Sequence, residues 1–178
     1  MAYITPYNVD MATTIRPATC DDVPQILDFI RALAAYEREP EAVTATEADI
    51  ICHGFGPNPF FFCLVAEKNG APAGFALYFF NYSTWLGRPG LYLEDLFVLP
   101  GFRGLGIGRA LLQRVAAIAV ENGCQRLQWE VLDWNTPAID FYQAMGAEFL
   151  DAWRNVRVSG DALRRLAGGT AESPEMAQ

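Results

Sequence analysis

Three glycines lie where a strand-like run of the sequence gives way to a helix-like run, and their spacing suits anion binding. The stretch consists of Arg103, Gly104, Leu105, Gly106, Ile107, Gly108 and Arg109. Glycines expose backbone N–H groups, and the start of the following helix contributes the positive end of its dipole. A pyrophosphate fits such a concavity, and the flanking Arg103 and Arg109 can add charge-assisted contacts to it.

Other interpretations of the glycines fit less well. The even spacing does not match the dinucleotide-binding pattern Gly-x-Gly-x-x-Gly, although Glu130 lies near the position of a ribose-binding acid. About 70 residues follow the loop, too few for the rest of a doubly wound domain. A P-loop ends in Gly-Lys-Ser/Thr, whereas Arg109 follows Gly108 here. A tight turn without a ligand is the remaining alternative.

A pair of carboxylates, Glu94 and Asp95, lies in the strand-like run just upstream of the glycines. Strict alternation assigns the neighbours of this run to two faces: Tyr92, Leu96 and Val98 with Glu94, and Leu93, Phe97 and Leu99 with Asp95. Both faces are apolar, so at least one acid is expected to be buried or to line a cleft. Glu94 is the better candidate for a functional role, and a solvent-facing edge residue is the alternative.

The glycine loop resembles the acetyl-CoA pyrophosphate loop of the GCN5-related N-acetyltransferases (GNAT), whose pattern Arg/Gln-x-x-Gly-x-Gly/Ala is matched by Arg103, Gly106 and Gly108. The resemblance extends from Thr14 to about Leu166. It is closest to the diamine (spermidine/spermine) acetyltransferases and their thialysine-acetylating relatives. The stretches that carry it further are Ile15-Arg-Pro-Ala-Thr, Ala35-Tyr-Glu37, Gly54-Phe-Gly, Cys63-Leu-Val-Ala-Glu67, Tyr92-Leu-Glu-Asp-Leu-Phe-Val98, Trp134-Asn-Thr-Pro-Ala-Ile-Asp-Phe-Tyr142 and Gly146-Ala.

The resemblance implies two catalytic residues for acetyl transfer from a thioester to a neutral primary amine. Tyr142 matches the tyrosine that serves as general acid to the CoA thiolate, and its O–H is a suitable donor. A core-facing aromatic residue is the alternative for Tyr142. Glu94 matches the glutamate that contacts the amine and takes its proton, directly or through water.

The resemblance also implies contacts to acetyl-CoA, the expected co-substrate. The backbone of Leu96, Phe97 and Val98 matches the strand that pairs with the pantetheine arm, and its N–H groups would stabilise the oxyanion. Asn135 and Ala138 match further positions that contact the cofactor. No metal is expected.

Four residues match substrate contacts of the diamine branch, namely Tyr36, Glu37, Trp129 and Glu130. Carboxylates and aromatic faces suit a polyammonium chain, although Trp129 is equally well explained as a buried strand aromatic. Arg154 would disfavour a long polyamine and could instead bind a substrate carboxylate. A polyamine or diamine is therefore the first choice of substrate, and a thialysine-like amino acid is the second.

These residues need a scaffold, and the hydrophobic pattern predicts the element order β-α-α-β-β-β-α-β-α-β. Strands are predicted at about 13–16, 60–66, 73–82, 91–99, 127–132 and 147–158, and helices at about 21–36, 44–53, 107–122 and 136–146. Thr44 with Glu47 has capping-box spacing, and Thr136 with Pro137 fits an N-cap and N1 pair. Hairpins followed by crossovers indicate an α/β GNAT fold, a mixed central sheet with helices on both faces.

The length of 178 residues and the hydrophobic fraction of 52% suit one globular domain. It is predicted at 13–167, with a flexible extension at 1–12 and a flexible tail at 168–178. The net charge of −8 disfavours nucleic-acid binding and mildly favours a cationic partner. Four scattered cysteines and a single histidine exclude the usual zinc frameworks.

The sequence shows no secretory signal and no apolar run of the ~18 residues that a membrane helix requires. We therefore expect a cytoplasmic protein that does not bind membranes, and the diamine branch implies a homodimer. Two other classes stay open. One is a non-catalytic acyl-CoA-binding sensor domain on the same fold. The other is an acetyltransferase of peptide N-termini.

Overall fold

A computed structural model describes residues 7–10 and 13–168. Its strands are β1 (Tyr7–Asp10), β2 (Thr13–Pro17), β3 (Phe62–Lys68), β4 (Ala71–Ser83), β5 (Arg88–Val98) and β6 (Leu127–Gln128). Its helices are α1 (Val23–Tyr36), α2 (Glu47–Gly54), α3 (Ile107–Glu121), α4 (Thr136–Ala144) and α5 (Gly160–Leu166). Short 3₁₀ turns lie at Cys20–Asp22, Pro40–Ala42 and Pro100–Phe102.

The six strands form one mixed sheet in the order β1-β2-β3-β4-β5-β6. Strands β1 to β5 pair antiparallel with their neighbours in sequence, and β6 pairs parallel to β5. The parallel pair requires a crossover, which α3 provides. The mixed α/β sheet predicted from the sequence is thereby confirmed.

Helices cover both faces of this sheet. Helices α1 and α2 bury Ile26, Phe29 and Ile50 against β3, β4 and β5, and Phe29 stacks on Phe75 with ring centroids 5.5 Å apart. Helix α3 packs on the opposite face: a Cβ at Gly108 would lie 3.7 Å from the Val98 side chain. The remaining buried residues of α3 are Ile107, Ala110, Leu111, Leu112, Val115, Ile118 and Ala119.

Two helix starts differ from the sequence prediction by one or two residues. The N-cap of α2 is Thr46, whose Oγ1 accepts a hydrogen bond of 3.2 Å from Asp49 N, while the Asp49 carboxylate accepts one from Thr46 N at 2.9 Å. The capping-box spacing occurs twice in succession, and the prediction took the earlier copy at Thr44. The N-cap of α4 is Asn135, so that Thr136 and Pro137 are N1 and N2.

The predicted strand at 147–158 is wrong. The described chain there is turn and irregular backbone, mostly exposed, and no strand of the sheet pairs with it. Strand β6 is also shorter than predicted, ending at Gln128, and the helix α5 that follows Ser159 was not predicted. Apolar residues alternate with polar ones in such segments, but a strand also needs a hydrogen-bonding neighbour.

The chain divides into two compact units, Met1–Glu130 and Val131–Gln178. The first contains the sheet with α1, α2 and α3, and the second contains α4 and α5. Within the predicted flexible extension at 1–12, β1 pairs with β2. Residues 1–6, 11–12 and 169–178, and with them most of the predicted tail, lie outside the described residues. In the part of the chain that is described, no helix is long and apolar enough to cross a membrane.

Candidate active site

A β-bulge in β5 sets the direction of the two carboxylates. Asp95 pairs with Leu77 and Leu93 pairs with Tyr78, so Glu94 is an extra residue without a cross-strand partner in β4. Directly paired residues share a face, and Leu77 belongs to the core under α1. Asp95 therefore lies on the α1 face and Leu93 on the α3 face. Strict alternation, which placed these two residues on the same face, is wrong because the bulge interrupts it.

Beyond the bulge, the outer edge of β5 has no strand partner among the described residues. The parallel ladder with β6 consists of Leu91 with Leu127 and Tyr92 with Gln128, and it stops two residues before Glu94. Over the described residues, no strand lies beside 93–98 on this side of β5. Backbone groups that have no strand partner on that side can pair with an extended ligand in the manner of an added strand. Leu96, Phe97 and Val98 lie on this edge.

The glycine loop connects β5 to α3. Two of its residues have a left-handed backbone conformation, which residues with a side chain adopt only at an energetic cost. Gly104 and Gly106 have φ values of 77° and 78°, and a Cβ at either position would meet nothing within 4 Å. Backbone conformation, not crowding, is thus the reason for these two glycines. Gly106 is the N-cap of α3, and no side chain caps this helix start. Its first N–H groups are therefore available to an anion.

Arg103 ties this loop to the end of α1. Its Nε donates a hydrogen bond of 3.0 Å to the carbonyl of Val98. Its guanidinium carbon lies 4.6 Å from the centroid of the Tyr36 ring and 5.6 Å from that of Phe97. Arg103 thus occupies one face of Tyr36, the side chain for which the sequence predicted a substrate contact. Arg109 lies exposed in the first turn of α3.

Four carboxylates of the first unit are linked in pairs by the effect of one charge on the pKa of the next, and we call them the acidic cluster: Glu37, Glu94, Asp95 and Glu130. Burial raises the pKa of Asp95 to about 7, and the charges of Glu94 and Glu37 add to that effect. Burial also raises the pKa of Glu94, with a further contribution from Glu130, and it raises the pKa of Glu37. The carboxylates repel one another, so a cation bound among them would relieve the repulsion.

Tyr92 and Asp95 are the residues of this region for which the sequence suggested no role. Tyr92 stacks on Phe79, with ring centroids 5.2 Å apart, and burial raises the pKa of its phenol, with a further contribution from Glu130. The apolar faces of the strand indicated that one of the two acids is buried, but they did not distinguish Asp95 from Glu94. The electrostatic effect of Glu130 on Tyr92 leaves no trace in local sequence.

The second unit holds the remaining predicted residues. The side chain of Asn135 caps α4 and accepts a 3.4 Å hydrogen bond from Ala138 N. Tyr142 lies one turn after Ala138 and is the buried residue of α4, with 8% of its surface exposed. Arg154 is exposed in the irregular segment before α5. In the first unit, Trp129 is half-buried. In the described chain, no group of three or more His, Cys, Asp or Glu side chains is arranged to hold a metal.

The sequence matches the model of the Acetyltransferase (GNAT) family over residues 25–147. It is 44% identical over 165 residues to the thialysine N-epsilon-acetyltransferase of Sus scrofa, covering 86% of this chain and 96% of that protein. It is 39% identical over 163 residues to the human spermidine/spermine N(1)-acetyltransferase-like protein 1, covering 86% of this chain and 23% of that protein.

The fold is likewise similar to solved structures. An integron cassette protein from the mobile metagenome of V. cholerae superposes with a TM-score of 0.75 and 27% sequence identity. The match covers 89% of this chain and 99% of that one.

Proposed function

Because the chain belongs to the GNAT family of acetyltransferases, we propose that this N-acetyltransferase acetylates the terminal primary amine of a small diamino compound. The observation that carries the proposal is the acidic cluster beside the open edge of β5. Asp95 is half-buried and Glu94 is exposed, and carboxylates whose pKa values are raised in this way favour a positively charged ligand.

Acetyl-CoA is the co-substrate, and this chain has places that fit it. The N–H groups of the glycine loop and of the uncapped start of α3 would hold the pyrophosphate. The edge of β5 at Leu96, Phe97 and Val98, which has no neighbouring strand, would pair with the amide groups of the pantetheine arm. Asn135 and Ala138 are the proposed contacts from the second unit.

The relatives favour a thialysine-like diamino acid as the substrate. The Sus scrofa relative, which nearly matches this chain in length, is named for thialysine, and a substrate carboxylate would give exposed Arg154 a partner. A polyamine is the second candidate, because the acidic cluster contributes four carboxylates and the human relative is named for spermidine and spermine. Both kinds of substrate carry a reactive terminal amine and a second ammonium group.

The chemistry requires that the amine lose its proton before it attacks. Glu94 takes that proton, directly or through water, and its raised pKa makes it a stronger base than an ordinary glutamate. The nitrogen then attacks the thioester carbonyl, a C–N bond forms and the C–S bond breaks. Backbone N–H groups on the edge of β5 stabilise the developing oxyanion. The leaving thiolate receives its proton from the O–H of Tyr142.

A thiol-release assay tests the proposal. Purified protein and acetyl-CoA would meet thialysine, ornithine, lysine, putrescine, spermidine, spermine and a short peptide, with free CoA measured over time. We expect turnover of at least one diamino compound, and we expect Glu94→Gln to reduce it. Tyr82→Phe removes a hydroxyl from an exposed tyrosine of β4 and serves as the unaffected control.

Three outcomes would replace the proposal by another. Binding of acetyl-CoA by calorimetry without CoA release from any amine would support the sensor domain. Turnover of the peptide alone would support an acetyltransferase of peptide N-termini. Turnover that Glu94→Gln leaves unchanged would remove Glu94 from the mechanism while keeping the reaction.

We also propose that the protein is a homodimer and works in the cytoplasm. The four cysteines, Cys20, Cys52, Cys63 and Cys124, are all free, which suits a reducing compartment. Light scattering coupled to size-exclusion chromatography measures the oligomeric state, and a monomer at micromolar concentration would contradict the dimer.

A further inference from the structure

Two groups from distant parts of the chain hold the guanidinium of Arg103. Its Nε donates a hydrogen bond of 3.0 Å to the carbonyl of Val98, and its Cζ lies 4.6 Å from the centroid of the Tyr36 ring. Tyr36 is the last residue of α1, whereas Arg103 follows the 3₁₀ turn at Pro100–Phe102. Because a guanidinium is planar, one fixed N–H direction and one ring face together set the orientation of the whole group.

The Val98 carbonyl points towards the outer edge of β5. Leu99 N donates a hydrogen bond of 2.9 Å to the carbonyl of Ala73, so these two residues form a hydrogen-bonded pair. In an antiparallel ladder the next pair, Val98 with Gly74, turns its backbone groups away from each other. The hydrogen bond from Arg103 therefore places its guanidinium on the edge where the pantetheine arm is proposed to lie, at the end that leads into the glycine loop.

Arg103 keeps most of its donors for a ligand. Its hydrogen bond to the described chain uses Nε, which leaves the two terminal NH₂ groups, and the side chain is exposed. A guanidinium that is already held binds an anion without first losing the freedom of a long side chain. In the sequence Arg103 directly precedes the N–H groups that are proposed to hold the pyrophosphate of acetyl-CoA.

We propose that Tyr36 is a positioning residue of the acetyl-CoA site, whose ring holds the Arg103 guanidinium in the orientation that binds the pyrophosphate. The inference rests on the proposed function. It gives Tyr36 a task different from the substrate contact that the sequence predicted. Arg103 occupies the place on that ring face that a cationic substrate would take.

Calorimetry with CoA tests the role of the ring. Tyr36→Leu removes the aromatic face, and we expect the Kd of CoA to rise about two- to fivefold, which corresponds to one exposed cation–π contact. Tyr36→Phe keeps the face and should leave the Kd unchanged. The control is Tyr82→Leu, the same change at an exposed tyrosine of β4. Normal CoA binding by Tyr36→Leu, with a loss of affinity for the amine alone, would assign the ring to the substrate and overturn the inference.

Two comparisons separate positioning from a general loosening of the site. Dephospho-CoA keeps the pyrophosphate and should lose as much affinity for Tyr36→Leu as CoA does, whereas pantetheine lacks the pyrophosphate and should lose none. In a protein that carries Arg103→Ala, Tyr36→Leu should have no further effect on the Kd of CoA. Equal losses for all three ligands, or effects that multiply in the double variant, would contradict the proposal.

A third measurement needs no ligand. NMR of the free protein follows the Nε–H of Arg103, assigned by its absence in Arg103→Lys. In the wild-type protein this proton should exchange slowly and be shifted by the Tyr36 ring, and Tyr36→Leu should abolish both effects. Fast exchange at an unshifted position in the wild-type protein contradicts the inference even if Tyr36→Leu fails to fold. Neither CoA binding nor this signal involves an amine, so a protein that accepts no amine would lose the proposed function while these two measurements still decide the role of Tyr36.

Discussion

Leu93 and Asp95 lie on opposite faces of the sheet, although one residue separates them in β5. Regular alternation would place them on the same face. The residue between them, Glu94, is inserted as a bulge, and the pairing on its two sides differs by one step. One inserted residue thus directs a carboxylate into the α1 face and shifts the register of the β4–β5 pairing at the place where the amine is proposed to bind.

Asp95 should make the stability of the protein depend on pH near neutrality. Its pKa in the folded protein, about 7, is above the ordinary aspartate value because of burial, Glu94 and Glu37. A carboxyl group whose pKa is higher in the folded than in the unfolded protein makes its full contribution to the free energy of unfolding at pH values below the unfolded pKa. That contribution is lost as the pH rises through the folded pKa. Relative to Asp95→Asn, the wild-type protein should therefore lose free energy of unfolding between about pH 4 and pH 7. Urea denaturation of both proteins at several pH values measures this loss. Parallel curves of the free energy of unfolding against pH would contradict the prediction.

Tyr142→Phe should reduce kcat while the binding of acetyl-CoA remains. If the phenol protonates the leaving thiolate, the loss is expected at ~10- to 10⁴-fold. Phenylalanine keeps the buried aromatic ring of Tyr142, so the fold should not change. Calorimetry with CoA is the control for binding. Full kcat in the variant would mean that water or another group supplies the proton.

A comparison of Gly106→Ala with Gly108→Ala should separate the cost of backbone strain from the cost of adding a side chain. Gly106 has a φ of 78°, where alanine costs about 1–2 kcal/mol, so this variant should lower the free energy of unfolding by about that amount. Gly108 lies inside α3, where an added Cβ would make an ordinary contact of 3.7 Å with Val98. Gly108→Ala should therefore keep the stability. Equal melting temperatures for the two variants would show that the loop tolerates a side chain at Gly106.

The ion-pair network around Arg16 should protect the protein against acid. Arg16 binds Asp22 with two hydrogen bonds of 2.8 Å and also contacts Glu67, which joins β2, the 3₁₀ turn at Cys20–Asp22 and β3. The hydrogen bonds of Arg16 lower the pKa of Asp22 to about 2. This contribution is present above the unfolded pKa and is lost as the pH falls through the folded one.

Asp22→Asn should accordingly lower the free energy of unfolding at pH 7 by about 1–2 kcal/mol and flatten its decline below about pH 4. The matched control is Asp28→Asn, which removes an exposed ion pair with Arg31 at 3.6 Å and should cost less than about 0.5 kcal/mol. Urea denaturation measures both. A similar loss in the two variants would argue against a special role for the Arg16 network.

Much of the first unit could be predicted from local sequence because its signals are local. The turn at Lys68-Asn-Gly70 is an example, since Asn69 and Gly70 have φ values of 53° and 77° and connect β3 to β4 as a tight hairpin. The apolar stripes of α1 and α3 and the terminating glycine at Gly123 are others. In each case a few adjacent residues determine the backbone.

What the sequence could not provide depends on partners distant in the chain. The bulge at Glu94 follows from how β5 meets β4, and no residue type marks it. The segment at 147–158 has strand-like composition but no neighbouring strand. The electrostatic effect of Glu130 on Tyr92 and Glu94 depends on residues that the crossover helix separates in the sequence. For the candidate site, residue types and their order were predictable, whereas the mutual orientation of the carboxylates was not.

The open side of β5 also affects how the protein should be handled. Unpaired backbone groups at a sheet edge are a template on which a strand of another molecule can add, and this is a common beginning of aggregation. The bulge and the charge of Glu94 are two features by which natural sheets oppose such addition. Acidification weakens this protection, because burial and Glu130 raise the pKa of Glu94 and so make it neutral more readily than an ordinary glutamate. Purification and storage at neutral or alkaline pH should therefore keep the molecules apart.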